Sequence, residues 1–181
     1  MNNTVENIYK TPCLTIRNFA DSDWKRLQGF GGKPQVARMM MSLKSPWSEQ
    51  DVKIWMKRAP YCGRLGFRAG IYLGADLIGF VGIGGNPASC AYAIDPDYWG
   101  KGYASEAFHG LLSHCFKHLG LEFVEADHFT DNPASGRILQ KSGFVQTGTD
   151  MGESAARLEP APNITYRLTK SQFKAKTDEI S

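Results

Sequence analysis

The chain of 181 residues lacks a long hydrophobic run, a paired-cysteine motif and a strong excess of charge of either sign. No window approaches the roughly 20 apolar residues that a membrane-spanning helix needs. The cysteines, Cys13, Cys62, Cys90 and Cys115, form no CxxC motif, so a zinc or redox site of that type is excluded. Basic residues outnumber acidic ones by only 21 to 18 and are scattered, which excludes a basic nucleic-acid-binding stripe. Residues 1–10 are polar and lack the apolar core of a secretory signal.

These absences predict a reduced, cytoplasmic protein with no membrane or nucleic-acid partner. Hydrophobic residues make up 42% and charged residues 22% of the chain, ordinary proportions for a globular protein. A single domain of this length buries about 70% of its unfolded surface. We predict a flexible N-terminal leader over residues 1–12, one domain over 13–170 and a C-terminal tail over 171–181.

Short alternating segments interleave with amphipathic ones along the chain. The alternating segments predict strands over residues 14–19, 66–73, 77–83, 89–94, 123–130, 144–151 and 163–168. Helices are predicted from Trp24 until the glycines at 29–32, and over 34–41, 49–58, 103–119 and 133–141. This order predicts an α/β (α+β) fold with a mixed sheet in one domain.

The stretch Y-A-I-D-P-D-Y-W-G-K-G-Y-A-S-E-A, over residues 92–107, joins a strand to a long helix through glycines. Pro96 ends the strand, because proline cannot donate to the sheet ladder. Gly100 and Gly102 allow the backbone to approach a ligand closely. The helix that begins at Tyr103 offers unpaired N–H groups and a positive dipole end, which favour a bound phosphate or pyrophosphate. The alternative is an ordinary turn whose glycines serve only local geometry.

A second motif, D-N-P-A-S-G-R-I-L-Q-K-S-G-F, occupies residues 131–144. Together with W-G-K-G-Y-A-S-E-A it resembles the GNAT acyl-CoA N-acyltransferase superfamily, and most of all its RimJ/RimL-like branch, which acetylates N-termini of ribosomal proteins. The superfamily's phosphate loop, Gln/Arg-x-x-Gly-x-Gly/Ala, falls on Trp99, Gly102 and Ala104, with Trp99 departing from Gln/Arg. The resemblance extends over residues 14–168. It implies a mostly antiparallel sheet flanked by helices, with the fourth and fifth predicted strands splayed around acyl-CoA.

The resemblance implies an N-acetyltransferase that uses acetyl-CoA as co-substrate. The acetyl group would pass directly to a primary amine of a protein N-terminus or a small molecule, without a covalent enzyme intermediate. The pantetheine arm would form hydrogen bonds with strand backbone, and the pyrophosphate would accept hydrogen bonds from N–H groups of the glycine loop. The cofactor-binding residues implied in this way are Tyr92, Ala93, Ile94, Trp99, Gly100, Lys101, Gly102, Tyr103, Ala104, Asn132 and Ser135.

The resemblance also places Ser135 near the thioester sulfur, as the general acid for the departing thiolate. The alternative is a helix-start serine that hydrogen-bonds the backbone. Many family members carry a tyrosine acid where this chain has Leu139, so the tyrosine mechanism is expected to be absent, leaving Ser135 or water as the acid. His128 is a candidate general base because histidine titrates near neutral pH, although a lone strand histidine is more often structural. Glu106 can serve as the base only if it faces the cleft.

The acceptor pocket is expected to come from the first third of the chain. Trp47, Trp55 and residues 39–41 are candidate lining residues, and each fits plain core packing equally well. Arg157 can meet an acidic acceptor group or simply lie on the surface. No metal site is predicted, because two helical histidines four residues apart, His114 and His118, make a weak case alone.

A second hypothesis is a GNAT-fold module that binds acyl-CoA as a sensor or scaffold without turnover. It is motivated by the missing tyrosine and by Ser89, which stands where some relatives carry a glutamate. The acceptor itself is left open among protein N-termini, polyamines, amino acids and antibiotics. Relatives form dimers, so a homodimer is a further expectation.

Overall fold

The computed structural model describes residues 7–178, and within them eight strands form one sheet. The strand order is β1-β2-β3-β4-β5-β6-β8-β7. The strands are β1 Asn7–Lys10, β2 Thr15–Arg17, β3 Phe67–Leu73, β4 Asp76–Gly84, β5 Ser89–Ile94, β6 Phe123–Phe129, β7 Val145–Gly152 and β8 Ala161–Thr169. Neighbouring strands are antiparallel except for β5 and β6, which are parallel. The mixed, mostly antiparallel sheet predicted above is confirmed.

Helices cover both faces of this sheet. They are α1 Trp24–Gly31, α2 Pro34–Ala37, α3 Glu49–Lys57, α4 Tyr103–Lys117, α5 Pro133–Lys141 and α6 Lys170–Asp178. The apolar stripe of α4, with Phe108 and Leu111 fully buried, packs on one face together with Leu139 of α5. Helices α1 to α3 cover the other face, where Trp55 packs edge-on against Phe80 of β4. The sheet therefore separates two apolar cores.

Strands β5 and β6 diverge soon after they meet. Their only ladder pair among the described residues is Ser89 with Glu125, and the Glu125 N–H donates to the Ala88 carbonyl at 2.8 Å. Beyond that point the two strands separate, which leaves a gap in the middle of the sheet. The splay predicted between these strands is confirmed.

Both predicted chain ends need correction. The flexible leader is wrong for residues 7–10, which form β1, because Tyr9 pairs with Ile16 and its hydroxyl donates to the Ala107 carbonyl at 3.1 Å. The tail is wrong for 171–178, which belong to α6, because Phe173 packs in the core at 5% exposure. Residues 1–6 and 179–181 lie outside the described part of the chain. Within residues 7–178, no helix is both long and apolar enough to span a membrane.

Two local predictions have mixed outcomes. The β3–β4 hairpin forms as expected, with Gly74 at φ +59° in its turn. The glycines from Gly29 onward predicted an earlier end for the first helix, but the helix continues through Gly29 and ends at Gly31. Buried Leu27 and Phe30 hold this helix against the second core, which outweighs the weak helix propensity of glycine.

Candidate functional site

A cleft of about 1150 Å³ lies where β5 and β6 separate. Its walls come from the splayed strands, the N-terminal turns of α4 and α5, and the segment that follows α2. The glycine loop and the Asn132–Ser135 turn, which are 30 residues apart in sequence, both line it. The topology thus brings the two sequence motifs to a single site.

The glycine loop forms an open cradle at the start of α4. Gly100 and Gly102 have φ of +75° and +83°, and the space where a Cβ atom would lie is empty at both. These angles favour glycine, and the empty space leaves room for a ligand against the backbone. Gly102 is the N-cap of α4, so the N–H groups of the first turn, at Tyr103 and Ala104, stand at the cleft. This cradle fits a pyrophosphate.

Trp99 and Lys101 are held by the loop itself. The indole Nε1 of Trp99 donates to the Ile94 carbonyl at 2.7 Å, while about half of the side chain is exposed along the cleft. The Lys101 ammonium donates to the Asp97 carbonyl at 3.3 Å and lies 5.1 Å from the centre of the Tyr98 ring. Trp99 therefore fixes the loop against β5, and the contacts of Lys101 with Asp97 and Tyr98 stabilise the loop.

The backbone of β5 divides its hydrogen-bonding groups between two neighbours. The Asp95 N–H donates to the Ile78 carbonyl of β4 at 2.8 Å. Because these groups alternate along a strand, Ala93 also faces β4, whereas Tyr92 and Ile94 face the gap toward β6. The backbone role predicted for Ala93 is therefore corrected. The position of Tyr92 agrees with the prediction, and the Ile94 carbonyl is already occupied by Trp99.

The N-terminal turn of α5 carries the predicted acid. Asn132 caps the helix, with its Oδ1 accepting from the Ser135 N–H at 3.3 Å. The Ser135 hydroxyl lies 3.0 Å from the hydroxyl of Tyr92. Burial raises the pKa of Tyr92 to about 12, although the hydrogen bond to Ser135 opposes the shift. At neutral pH both hydroxyls are protonated, so one donates to the other and the second O–H remains available at the gap.

The sequence predicted only a backbone contact for Tyr92 and missed its hydroxyl. Leu139 does stand where a tyrosine acid was sought, buried in the wall of the cleft at 1% exposure. A tyrosine from β5, Tyr92, also lines the cleft. Strand alternation could have indicated that Tyr92 shares a face with Cys90 and Ile94, but not which helix lies over that face.

The geometry argues against His128 and Glu106 as the base. His128 is buried, its Nδ1 donates to the Phe129 carbonyl at 2.8 Å, and its Nε2 lies 3.2 Å from the Tyr166 hydroxyl. Both ring nitrogens are thus engaged, which favours the structural interpretation. The Glu106 carboxylate accepts the Cys13 N–H at 2.7 Å and the hydroxyl of Thr11 at 2.5 Å, so it anchors the segment before β2.

A carboxylate that the sequence did not single out lines the cleft beside His128. Asp127 is exposed to the cleft, yet the walls displace enough water to raise its pKa, and the Asp150 carboxylate adds to the rise. A hydrogen bond from Asn163 opposes the shift. Asn163 is 7% exposed, and its Oδ1 has no hydrogen-bond partner among the described residues. This corner of the cleft therefore offers the Asp127 carboxylate as an acceptor for a donor-bearing ligand.

The predicted acceptor-side residues separate into two groups. Trp55 and residues 39–41 line the cleft, whereas Trp47 is 4% exposed and packs against Trp55 at 5.5 Å between ring centres. Arg157 pairs with Asp131 at 2.8 Å and donates to the Arg38 carbonyl at the same distance. Arg157 is thus tied to a neighbouring carboxylate and not presented to an acceptor.

The two helical histidines are part of the packing around α4. His114 Nε2 lies 3.1 Å from the Tyr61 hydroxyl, and the rings of His114 and His118 are 5.1 Å apart. In the described range, 7–178, no group of three histidine, cysteine, aspartate or glutamate side chains is arranged to hold a metal ion.

Most of the chain is similar to known proteins. Residues 14–145 match the acetyltransferase (GNAT) domain family. The chain is 32% identical over 149 residues to the uncharacterized N-acetyltransferase YoaA of Bacillus subtilis (strain 168), covering 78% of this chain and 84% of YoaA.

Solved structures share the fold. A GNAT-family acetyltransferase from Bacillus anthracis superposes with a TM-score of 0.75 at 22% identity, over 90% of this chain and 98% of that one. Mycobacterium smegmatis RimJ in complex with CoA-disulfide gives a TM-score of 0.76 at 18% identity, over 92% and 88%. The resemblance to the GNAT superfamily that the two motifs carried is confirmed. This chain belongs to the GNAT acetyltransferase family and is an acetyl-CoA-dependent N-acetyltransferase.

Proposed function

We propose that this protein transfers the acetyl group directly from acetyl-CoA to a primary amine of a small molecule or a peptide N-terminus. The observation that carries the proposal is the 3.0 Å contact between the hydroxyls of Tyr92 and Ser135. It lies beside the gap that exposes the β5 backbone and near the N-terminal turn of α5. A hydroxyl donor that is supported by a second hydroxyl, together with a helix dipole at the same point, favours a developing negative charge.

Ser135 would stabilise the leaving thiolate, with Tyr92 donating to the Ser135 oxygen. A thiol such as that of cysteine has a pKa of about 8.5, below the value of about 12 for Tyr92. Complete transfer of the tyrosine proton to sulfur is therefore uphill. The pair acts by hydrogen-bond donation. The CoA thiolate leaves as such and takes a proton from solvent to form the thiol.

Asp127 would accept the proton that the amine loses. The raised pKa of its carboxyl makes it a stronger base than an ordinary aspartate, and it faces the cleft. In the balanced reaction, the bond between the amine nitrogen and the acetyl carbon forms, the bond from that carbon to sulfur breaks, and the amine proton passes to Asp127. None of these steps needs an enzyme nucleophile.

Cofactor recognition is assigned to the glycine loop and the exposed edge of β5. Gly100, Gly102 and the first turn of α4 would hold the pyrophosphate, and Tyr92 would pair its backbone with the pantetheine arm. Asn132 would hold the α5 turn in place through its cap. The bound co-substrate supplies the activated acetyl group.

The sensor hypothesis loses its main motive in this geometry. It rested on the missing tyrosine at position 139, and Tyr92 provides a tyrosine hydroxyl at the cleft from another element. Ser89 remains without a base function, but Asp127 offers a carboxylate on the neighbouring strand.

The test is a panel of amines with acetyl-CoA, with acetylated products measured by mass spectrometry. The panel contains N-terminal peptides, polyamines, amino acids and aminoglycosides. Product from one class supports the proposal and identifies the acceptor. Tight acetyl-CoA binding without product from any amine would favour the sensor.

Two further expectations belong to this proposal. The described cysteines are all free, which is consistent with a reducing compartment, so we expect a cytoplasmic enzyme. A homodimer is expected from the family resemblance alone, and light scattering in solution tests it.

A further inference from the structure

A cationic side chain, that of Arg68, lines the cleft on the side of α1 to α3. The Arg68 guanidinium, from β3, lies 4.5 Å from the centre of the Trp55 ring, and its Nη1 donates to the Trp55 carbonyl at 3.2 Å. These contacts hold a planar donor group at the cleft wall while the side chain remains partly buried. Arginine presents five N–H donors, and only one is used by the Trp55 carbonyl.

The charge of Arg68 is not neutralised within the described part of the chain. None of the ion pairs found between residues 7 and 178 includes it. Burial lowers the pKa of its guanidinium and the neighbouring Arg58 adds to the effect, yet arginine stays protonated in proteins. A partly buried cation beside a second cation is unfavourable until an anion joins it. Arg157, which does not line the cleft, is already paired with Asp131.

The sheet register places Arg68 level with the proposed base. Arg68 pairs with Gly82, and Gly82 pairs with Ala91, so the three residues stand in one row on one face. The single parallel pair of β5 and β6 puts Asp127 level with Ala91, on the same face. The row thus runs from a cation to a carboxylate across a floor of Gly82 and Ala91, which carry almost no side chain.

We propose that Arg68 is a carboxylate-binding subsite, so that the acceptor carries a carboxylate as well as the amine that is acetylated. Arg68 would form a bidentate pair with the carboxylate, while the amine lies toward Asp127. The apolar walls at Trp55 and Phe80 would hold the part of the acceptor between or beside the two charged groups. This inference rests on the proposed amine acetylation and narrows its acceptor class to amino acids or peptides with an acidic group near the N-terminus.

The experiment compares free amino acids with their amides, and N-terminal peptides with an acidic or a neutral second residue. Acceptor kcat/KM is measured for wild type and Arg68→Gln, with Arg64→Gln as the matched control, since Arg64 lies in the exposed loop before β3. We expect wild type to prefer the carboxylate-bearing member of a pair by at least about tenfold. Arg68→Gln should lower that ratio by at least about tenfold, because a hydrogen bond to a charged group contributes about 1.5–3 kcal/mol, whereas Arg64→Gln should retain it. The amines of acid and amide differ in basicity, but that difference is the same for every protein, so the change in the ratio from wild type to Arg68→Gln reports the contribution of Arg68.

Acetyl-CoA affinity, measured by calorimetry, separates acceptor binding from folding and cofactor binding. It should be the same in wild type and Arg68→Gln; a large loss would assign Arg68 to the cofactor and overturn the proposal. A wild-type enzyme with no preference for carboxylates, or an Arg68→Gln enzyme that keeps the preference, would also overturn it. A preference confined to free amino acids or to acidic peptides identifies the source of the carboxylate.

Failure of the proposed function is distinguishable from failure of this inference. If no amine in the panel is acetylated, N-acetylleucine and N-acetylleucinamide are titrated into the protein saturated with CoA. Binding of the acid at least about tenfold tighter than the amide, lost in Arg68→Gln, would support the subsite without turnover. Equal affinities would overturn it.

Discussion

The hydroxyl oxygens of Tyr92 and Ser135 lie 3.0 Å apart, joining β5 to the first turn of α5 at the edge of the gap in the sheet. Tyr92 is further fixed by its ring, which lies 4.7 Å from that of Phe108 in α4. Ser135 is fixed by Asn132, which caps its helix. Two elements that are far apart in sequence therefore hold a pair of donors in one place, and this pair is the centre of the proposed chemistry.

Removal of either hydroxyl is expected to slow transfer. Ser135→Ala should lower kcat by about 10- to 100-fold, because a hydrogen bond to a charged group contributes about 1.5–3 kcal/mol, and Tyr92→Phe should lower kcat by up to the same amount because Ser135 loses its support. Acetyl-CoA affinity should change little. The measurement is steady-state kinetics with calorimetric binding for the two single variants and the double variant.

The double variant tests whether the hydroxyls act together. If Tyr92 acts through Ser135, the double variant should be hardly slower than Ser135→Ala alone. Fully additive losses would show that the two hydroxyls act independently, and wild-type rates in both single variants would remove them from the mechanism.

Gly102→Glu is expected to weaken acetyl-CoA binding by at least about 100-fold. The new carboxylate would stand at the cradle, and like charges about 4 Å apart near a protein surface repel by about 4 kcal/mol. Gly63→Glu is the matched control: its φ is +82°, its Cβ position is equally empty, and it does not line the cleft. The control therefore carries the same strain and charge. Calorimetric affinities that are equal in the two variants would contradict the phosphate assignment.

Asp127→Asn is expected to lower kcat by about 10²- to 10⁴-fold and to remove the acidic limb of its pH profile. Burial raises the pKa of Asp127, so the wild-type rate should fall as the pH drops through that raised value and the base becomes protonated. The measurement is kcat against pH at saturating acceptor.

Asp150→Asn provides the companion variant for Asp127. The Asp150 carboxylate adds to the raised pKa of Asp127, so its removal should move the acidic limb to lower pH while activity is retained. An Asp127→Asn enzyme with a wild-type profile would assign the base to another group or to water.

Arg157→Ala is expected to destabilise the fold by about 1–2 kcal/mol at neutral pH. Arg157 binds both oxygens of Asp131 at 2.8 and 3.0 Å and lies over the Phe129 ring, so packing and an ion pair are lost together. Arg157 lowers the pKa of Asp131 in the folded protein. The ion-pair part should therefore be present at neutral pH and fade as the pH falls through that lowered pKa.

Urea unfolding of wild type and Arg157→Ala at neutral and acidic pH measures this difference. Arg167→Ala is the comparison, because Arg167 forms an exposed pair with Glu125 outside the cleft and should cost less. A difference in unfolding free energy that does not shrink at acidic pH would assign the effect of Arg157 to packing alone.

The local geometry of the two motifs could be predicted because it depends on the nearby backbone. Positive φ at Gly102 and the Asn132 cap follow from residue type and position along the chain. The gap between the fourth and fifth predicted strands was predicted by the family resemblance and not by the residue pattern. What the sequence could not provide was the partner of each side chain across the fold.

Three residues show that limit. The Glu106 carboxylate is hydrogen-bonded to Thr11, which lies in a segment predicted to be flexible. The His128 ring is hydrogen-bonded to Tyr166 of β8. Tyr92 meets Ser135 only because α5 folds back over β5. Such pairings depend on tertiary packing between distant segments, and strand alternation alone cannot identify them. Asp127 was missed for the same reason, since its environment is made by β7 and β8.

The most direct test is one mass-spectrometric time course that follows the protein and the amines together after acetyl-CoA is added. We predict that an acetylated amine accumulates over many turnovers while the mass of the protein stays unchanged, as direct transfer requires. Saturation with acetyl-CoA without any acetylated amine, or a protein that first gains an acetyl group and then passes it to the amine, would contradict the account.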